Sequence, residues 1–408
     1  MSAQAEAAAE LEAGGVGSIP HRILENLRTG NLGPAPVILA LALIVIYFSR
    51  TADNFFTASN FINIITQMAG VTLIAYGVVF VLLLGEIDLS VAYVSGLTAV
   101  VAAELQLPDG RNWPGWACIA AAAVVGLAIG AFQGSIVALV GVPSFVVTLA
   151  GFLMWQGVII ERVEERGAII IQEAWINNTA NYFFSHRGGW ILAIVFSAVY
   201  LAAVLSGWYA NRRHGIRLRD PVMFAVRLVV PPALIFLVVA ICNRDEARGV
   251  PLALLLVMTA LFVLTFLSKR TTFGRHVYAV GGNAEAARRA GINVARIRIL
   301  VFMISGLMAA IGGLVLAARL NSVDLNQGGG TLLIDAIAAA VIGGTSLFGG
   351  RGEIRNALFG ALVIKTIENG LNTKGYSQGI IFIVTGAILL IAVSIDAVAR
   401  RLQAKSGR

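Results

Sequence analysis

Apolar and polar positions alternate along this chain in long blocks, without the short repeats of amphipathic helices or half-buried strands. Apolar runs lie at about 35–49, 62–84, 89–105, 116–140, 143–161, 190–207, 222–241, 251–267, 299–318, 331–348, 356–371 and 379–396. Several are shorter than the roughly 20 residues of a straight membrane-spanning helix. The pattern predicts an all-α polytopic membrane protein, a helical bundle of about 10–12 transmembrane spans with some broken or re-entrant helices.

The polar blocks between these runs predict the orientation of the chain. Segments 208–220, 269–298 and 399–408 are rich in Lys and Arg, whereas segment 162–189 mixes acids and bases. Because basic loops stay in the cytoplasm, both termini should lie inside. The expected layout is a cytoplasmic tail (1–33), a transmembrane domain (34–398) and a second cytoplasmic tail (399–408). Within that domain we expect a periplasmic loop at 162–189 and cytoplasmic loops at 208–220 and 269–298.

Composition agrees with this class and excludes others. Hydrophobic residues make up 58% of the chain and charged residues 13%, about half the charged fraction of a soluble domain. The net charge of +8 follows the predicted cytoplasmic loops, so it indicates topology and no nucleic-acid partner. Cys118 and Cys242 lie in or beside apolar runs, which predicts neither a disulfide framework nor a metal site.

The loop at 269–298 contains a short helix signal. It carries Lys269, Arg270, Arg275, Arg288, Arg289, Arg296 and Arg298 against one acid, Glu285. Gly281 and Gly282 lead into the helix, Asn283 can cap its N-terminus and Gly291 can end it. A capped, alanine-rich helix exposed to the cytoplasm can dock a soluble subunit. An ordinary connecting loop explains the same residues equally well.

The segment Gly85–Ser90, GEIDLS, interrupts an apolar stretch. Glu86 and Asp88 would lie about 200° apart on a helix, so they do not form a paired-carboxylate site on one face. Capping of the next helix by Asp88 or Ser90 is the favoured interpretation. A role in the substrate path and proton binding are the alternatives, because acids inside membrane spans are costly.

Two further segments are candidates for the substrate path. Pro143 and Ser144 predict a helix start, and Phe145 and Trp155 could stack on a sugar or only face lipid. Residues 334–354 combine five glycines with Asp335, Thr345 and Ser346. Irregular backbone at membrane depth is tolerated where it is buried or lines a cavity, so this segment is the strongest candidate. Arg227, Lys365 and Glu368 are interpreted as structural, with charges that reach the membrane surface.

Enzymatic motifs are absent from the sequence. It contains no G-x-x-x-x-G-K-[ST] loop, and its four histidines lack H-E-x-x-H spacing. No catalytic residue is therefore assigned. If the chain moves a solute uphill, the energy comes from an ion gradient or from a separate ATPase.

Four segments in the same order resemble the permease subunits of bacterial ABC monosaccharide importers, which serve ribose, arabinose, galactose and xylose systems. They are GEIDLSV (85–91), PSFVVTLAG (143–151), FGRHVYAVGGNAEAARRAGINV (273–294) and IDAIAAAVIGGTSLFGGRG (334–352). The xylose permeases are the most similar group, because they share the extra apolar section at about 190–267. Ala92 and Tyr93 depart from the family, which usually has glycine two residues after the serine of IDLSV.

The resemblance implies a homodimeric permease in the bacterial inner membrane that binds a cytoplasmic ATP-binding subunit and a periplasmic sugar-binding protein. ATP and Mg would be bound by the partner ATPase, with no cofactor or metal in this chain. The coupling helix would use Gly282, Asn283, Glu285, Ala286, Ala287 and Arg288. The substrate path would include Glu86, Asp88, Ser90, Ser144, Phe145, Asp335, Thr345 and Ser346.

Two rival functions remain open from the sequence. A proton-coupled sugar symporter would need Glu86, Asp88 or Asp335 to titrate. An ABC permease for another pentose, a hexose or a different sugar-like solute would share every motif. A structural or signalling membrane protein is a weaker third alternative, because it has no use for an exposed capped helix.

Overall fold

The computed structural model describes residues 35–108, 111–213 and 221–405. Its α-helices are Ala35–Thr51 (α1), Ala58–Leu83 (α2), Val91–Leu105 (α3), Gly115–Ser135 (α4), Ser144–Val163 (α5), Ala174–Asn181 (α6), His186–Arg213 (α7), Pro221–Cys242 (α8), Leu252–Arg270 (α9), Thr272–Gly282 (α10), Ala284–Arg289 (α11), Val294–Leu320 (α12), Leu332–Ile342 (α13), Ile354–Thr373 (α14) and Gln378–Lys405 (α15). A π-helical turn, Ile136–Val140, continues α4, and two short strands are Ala168–Ile170 (β1) and Ser322–Asp324 (β2).

The helices coincide with the apolar runs of the sequence. Among the described residues, seven helices are long and apolar enough to cross a membrane, and four apolar helices are shorter. The short ones include α3 and α13, which adjoin the breaks at Gly85–Ser90 and Gly343–Glu353. The chain is an all-α polytopic membrane protein with interrupted helices, as predicted.

Helix α12 is central to the larger of two compact units, which comprises the described residues of 34–182 and 251–408. It packs against α2, α3 and α4. Glycines form these contacts: a Cβ on Gly130 would overlap the carbonyl oxygen of Phe302, and one on Gly313 would overlap that of Ser95. Such small residues let membrane helices approach backbone to backbone, where dispersion and weak hydrogen bonds provide the association energy.

One end of this unit brings three distant segments together. The amide of Gly350 donates to the carbonyl oxygen of Leu83 (2.9 Å), and a Cβ on Gly281 would overlap the same oxygen. The hydroxyl of Tyr278 donates to the carbonyl oxygen of Gly352 (2.8 Å). The end of α2, the helix α10 and the glycine-rich segment before α14 therefore lie on the same face of the bundle.

The opposite end is closed by a small sheet. Strands β1 and β2 pair antiparallel, with Ile169 opposite Val323. Gln106, at the end of α3, donates from Nε2 to the carbonyl oxygen of Ile170 (2.9 Å) and accepts from the amide of Glu173 (2.8 Å). The segment after α5 and the segment after α12 thus meet at the end of the unit opposite to α10. Periodicity gave no signal for strands of three residues.

The second unit, described over 183–213 and 221–250, is an antiparallel pair formed by α7 and α8. The hydroxyl of Tyr200 donates to the carbonyl oxygen of Arg227 (3.1 Å). Trp190 stacks on Phe236 with ring centroids 6.1 Å apart. Helix α8 contains Pro231 and Pro232, which a membrane helix tolerates when neighbouring groups satisfy the freed carbonyls.

Three boundaries differ from the sequence expectation. Helix α15 continues to Lys405, so most of the predicted 399–408 tail is helical. Helix α7 extends to Arg213 inside the predicted 208–220 loop, whose remainder lies outside the described residues. Helix α10 was not predicted, although the hydroxyl of Thr271 caps it by accepting from the amide of Gly274 (3.2 Å). The 1–33 tail lies outside the described residues.

Replacement of Gly130 by Val should destabilise the bundle, because the new side chain collides with the backbone of Phe302 in α12. Overpacking of this kind costs about 1–3 kcal/mol. The measurement is thermal unfolding of the purified chain in detergent. Gly157→Val is the matched control, because no heavy atom lies within 4 Å of a Cβ there; equal melting temperatures for both variants would contradict the packing described.

Candidate functional site: the α10–α11 loop and the polar breaks

Helix α11 has the caps expected from the sequence. The Asn283 side chain accepts from the amide of Ala286 (2.9 Å), and Gly291 adopts a left-handed φ of +83° that suits glycine. Glu285 pairs with Arg288 (3.2 Å) and Arg289 (3.3 Å) on an exposed surface. The helix is therefore a rigid, charged projection between α10 and α12.

Most of the predicted coupling residues are exposed. Gly282, Asn283, Glu285, Ala286 and Arg288 face outward, and no heavy atom lies within 4 Å of a Cβ on Gly282. Ala287 was expected to contact the partner ATPase, but it is only 4% exposed and belongs to the hydrophobic core. Its methyl group anchors α11 to its own chain and does not belong to the exposed surface.

Helix α10 connects α11 to the membrane bundle. Its residues Gly274, Val277 and Val280 are buried, and Gly281 touches the end of α2 as described above. Burial raises the pKa of the Tyr278 phenol, which stays protonated and donates to Gly352. A displacement of α11 would therefore be transmitted through α10 to two breaks in the bundle.

An ion-pair cluster fixes the start of α14 beside this loop. Glu353 accepts from Lys269 Nζ (3.0 Å) and from the Nε of Arg355. Burial opposes ionisation, yet the hydrogen bond from Lys269 and the charge of Arg355 hold the pKa of the Glu353 carboxyl below its ordinary value. The glycine-rich segment is thereby tied to the end of α9.

The break at 85–90 is held by a buried polar network. Asp88 Oδ1 accepts from the amide of Ser90 (3.0 Å) and from its hydroxyl (2.7 Å), and Oδ2 accepts from the hydroxyl of Ser305 on α12 (2.9 Å). The Ser90 hydroxyl itself makes no cap bond. Of the two capping residues proposed from the sequence, Asp88 therefore satisfies the turn before α3, and it also joins that turn to α12.

Gln133 extends this network to α4 and α5. Its side-chain oxygen lies 3.0 Å from Ser90 Oγ. Its amide nitrogen occupies the space beside Gly151, where a Cβ would overlap it and would lie 3.1 Å from the indole nitrogen of Trp155. Sequence reasoning missed Gln133 and Ser305. The sequence signal for both is a single polar residue inside an apolar run.

Ser144 and Thr148 hold the break from the side of α5. Ser144 Oγ accepts from the amide of Ile87 (3.2 Å), and Thr148 Oγ1 accepts from the amide of Leu89 (3.1 Å). Glu86 takes no part in the hydrogen-bond network around Asp88. It forms an ion pair with Arg298 (3.0 Å) at the start of α12. Of the predicted path residues, Asp88, Ser90 and Ser144 therefore meet, while Glu86 faces the α10–α11 side.

Phe145, Thr345 and Ser346 do not join this cluster. The Phe145 side chain is 51% exposed, which fits the alternative that it faces lipid. Thr345 and Ser346 are buried, in a segment whose turns are fixed by the Gly350–Leu83 and Tyr278–Gly352 bonds. This segment packs against α10, and the role of Thr345 and Ser346 in the substrate path stays a prediction.

Asp335 forms an ion pair with Lys365, whose charge was expected to reach the membrane surface. Lys365 Nζ donates to Asp335 Oδ2 (2.7 Å) and to Glu368 Oε2 (2.6 Å). The lysine side chain is 12% exposed and the aspartate 1%. The interpretation of Lys365 and Glu368 as charges reaching the surface is therefore wrong: they form a buried ion cluster between α13 and α14.

Comparison with known proteins identifies the class. Residues 60–393 match the model of the family described as "Branched-chain amino acid transport system / permease component". The chain belongs to this family of membrane permeases.

The curated relatives cover nearly the whole chain. It is 38% identical over 385 residues to the xylose transport system permease protein XylH of Escherichia coli (strain K12), covering 92% of this chain and 94% of the relative. It is 35% identical to XylH of Haemophilus influenzae (91% and 98%) and 33% identical to the ribose import permease protein RbsC of Escherichia coli (strain K12; 88% and 92%). No solved structure matches the chain.

Replacement of Ser305 by Ala should destabilise the bundle, since Asp88 Oδ2 loses its hydrogen-bond donor inside the protein. A buried acceptor left without a partner costs about 1–3 kcal/mol, more when it is charged. Ser95→Ala is the matched control, because its equally buried hydroxyl bonds only to its own helix. Thermal unfolding measures both variants, and a larger loss for Ser95→Ala would contradict the role of Asp88.

The Glu353 cluster predicts a dependence of stability on pH. Because the folded-state pKa of Glu353 is lowered, its ion pairs stabilise the fold above the unfolded pKa of about 4.3 and are lost as pH falls through the folded value. Glu353→Gln should therefore melt below the unmodified chain at pH 7, and the gap should close below about pH 4. A gap that widens on acidification would contradict the assignment.

Proposed function

We propose that the chain is the membrane-spanning permease subunit of an ATP-driven ABC importer for a monosaccharide, with D-xylose as the first candidate. The observation that carries the proposal is the 38% identity to a xylose transport system permease over nearly the entire length of both chains. The extent of this match includes the section at about 190–267, so it covers both compact units.

The exposed helix α11 supports a separate ATPase as the energy source. It is capped at both ends, projects between two long helices and presents Asn283, Glu285, Ala286 and Arg288. The sequence holds no P-loop, so ATP and Mg would be bound by the partner subunit. In this proposal α11 seats in a groove of that subunit, and Ala287 keeps it attached to the permease.

The proposed assembly is a permease homodimer in the bacterial inner membrane, with both termini cytoplasmic. Basic loops place α10 and α11 in the cytoplasm, and the β1–β2 face would then receive a periplasmic sugar-binding protein. The sugar, neutral and rich in hydroxyl groups, would pass between helices by alternating access. A weak site along its path would favour release, because a deep binding well slows passage.

Closure of the partner ATPase subunits would drive the conformational change of the permease. The motion of α11 would reach the bundle through α10, whose Gly281 touches the end of α2 and whose Tyr278 holds the segment before α14. Because Asp88 lies only five residues after Leu83, whose carbonyl oxygen meets Gly281 and Gly350, a shift of this junction would act on the break between α2 and α3. Ser90, Ser144 and Asp88 are the path residues that the geometry supports.

The proton-coupled symporter has less structural support. Each of the three acids that it would use has a partner: Glu86 pairs with Arg298, Asp88 accepts from two serines, and Asp335 pairs with Lys365. Uptake that survives Asn or Gln at each position would exclude that mechanism. Competition among sugars would distinguish xylose from ribose, other pentoses and hexoses.

The decisive test is purification of the tagged chain from its native membrane, followed by mass spectrometry and uptake of labelled xylose. A P-loop ATPase should be recovered with the chain. Replacement of Glu285 by Ala together with Arg288→Glu should reduce its recovery by about tenfold, the effect of losing about 1.4 kcal/mol of binding energy.

The matched control is Glu104→Ala with Arg162→Glu, an exposed ion pair near the opposite face. It should leave the ATPase attached. Recovery of the chain with no ATPase, or equal loss in both double variants, would contradict the docking role of α11. Absence of xylose uptake by the unmodified complex would contradict the substrate.

A further inference from the structure

The ion cluster between α13 and α14 contains more carboxyl groups than cations. Lys365 Nζ lies within hydrogen-bond distance of both Asp335 Oδ2 and Glu368 Oε2. Thr331 Oγ1 adds a second donor to Asp335 Oδ2 (3.0 Å). With both carboxyls ionised, the cluster would carry one uncompensated negative charge.

Two oxygen atoms of the cluster have no hydrogen-bond donor. Asp335 Oδ1 and Glu368 Oε1 are both buried and both without a partner in the described part of the chain. The two carboxyl groups are neighbours, because one oxygen of each lies within 2.7 Å of Lys365 Nζ. Two neighbouring carboxylates repel each other, whereas one hydrogen shared between them removes the repulsion and supplies the missing donor.

No other described charge can neutralise the excess. Helices α13 and α14 pack against α1, α2, α3, α9 and α15. Helix α2 has no charged side chain, and α15 has none as far as Ser394. The charges of the other three helices lie elsewhere: Glu104 pairs with Arg162, Lys269 pairs with Glu353, and Arg50 and Arg270 are exposed.

From this geometry we infer that the cluster is a proton-binding site, in which one hydrogen on Glu368 Oε1 is donated to Asp335 Oδ1. The hydrogen is placed on Glu368 because Asp335 accepts from both Lys365 and Thr331, whereas Glu368 accepts only from Lys365. One lysine, one carboxylate and one carboxylic acid give a neutral cluster. Neutrality lets α13 and α14 pack at membrane depth without an uncompensated buried charge.

This site is independent of the sugar assignment, and its test needs only the full-length chain. The chain is purified into lipid nanodiscs, and the infrared absorption of protonated carboxyl groups is recorded at neutral pH in H₂O and D₂O. The unmodified chain should show a carboxylic C=O band that shifts in D₂O.

Two amide variants make the test specific. Glu368→Gln should remove the band while keeping the fold, because the amide N–H replaces the carboxylic O–H. Asp335→Asn should also remove it, since Glu368 then becomes the only carboxylate available to Lys365. Glu104→Gln is the control and should leave the band unchanged, because Glu104 is ion-paired with Arg162 in an exposed position.

Three results would overturn the inference. One is the absence of a protonated carboxyl band in the unmodified chain at neutral pH. Another is a band that persists in Glu368→Gln. The third is a band retained in Asp335→Asn, which would show that Glu368 is protonated without the participation of Asp335.

Discussion

The close approach of α12 to α2, α3 and α4 depends on positions where a side chain would collide with a neighbouring backbone. Gly130, Gly306 and Gly313 each face a carbonyl oxygen of the adjacent helix. In a bilayer no hydrophobic force drives helices together, so this proximity provides the packing energy. The same proximity brings Ser305 to Asp88, which satisfies the carboxylate at the break between α2 and α3. The packing of the helices and the hydrogen bonds of the polar break therefore both depend on the close approach of α12.

The two interruptions of the helices lie at the same end of the larger unit. The break at 85–90 reaches inward through Asp88 and Ser90, and outward through the ion pair of Glu86 with Arg298. The glycine-rich segment before α14 lies beside it, held by Tyr278 and by the carbonyl oxygen of Leu83. Both interruptions meet α10, which supports α11. If a soluble partner bound the exposed loop as proposed, its motion would reach the part of the bundle where the helices are least regular.

The buried charges at Asp88 and Lys365, both in the described part of the chain, are compensated by neighbouring groups. Asp88 receives three hydrogen bonds, and Lys365 stands between two carboxyl groups. Breaking such a pair by removing one partner is more damaging than replacing the whole group, because it leaves a bare charge inside the protein. The inferred proton between Asp335 and Glu368 follows the same rule.

The sequence by itself determined the class of protein, the positions of the apolar helices and the capped helix at Asn283. Hydrophobic run length, Gly and Asn caps, and the bias of Lys and Arg are local signals, each readable within a few residues. Only the tertiary structure decided which polar residues meet. Gln133, Ser305 and Lys365 belong to distant segments of the chain, and the burial of Ala287 and the exposure of Phe145 are visible only in the folded chain. Pairing across such separations depends on helix rotation and packing, which no local pattern encodes.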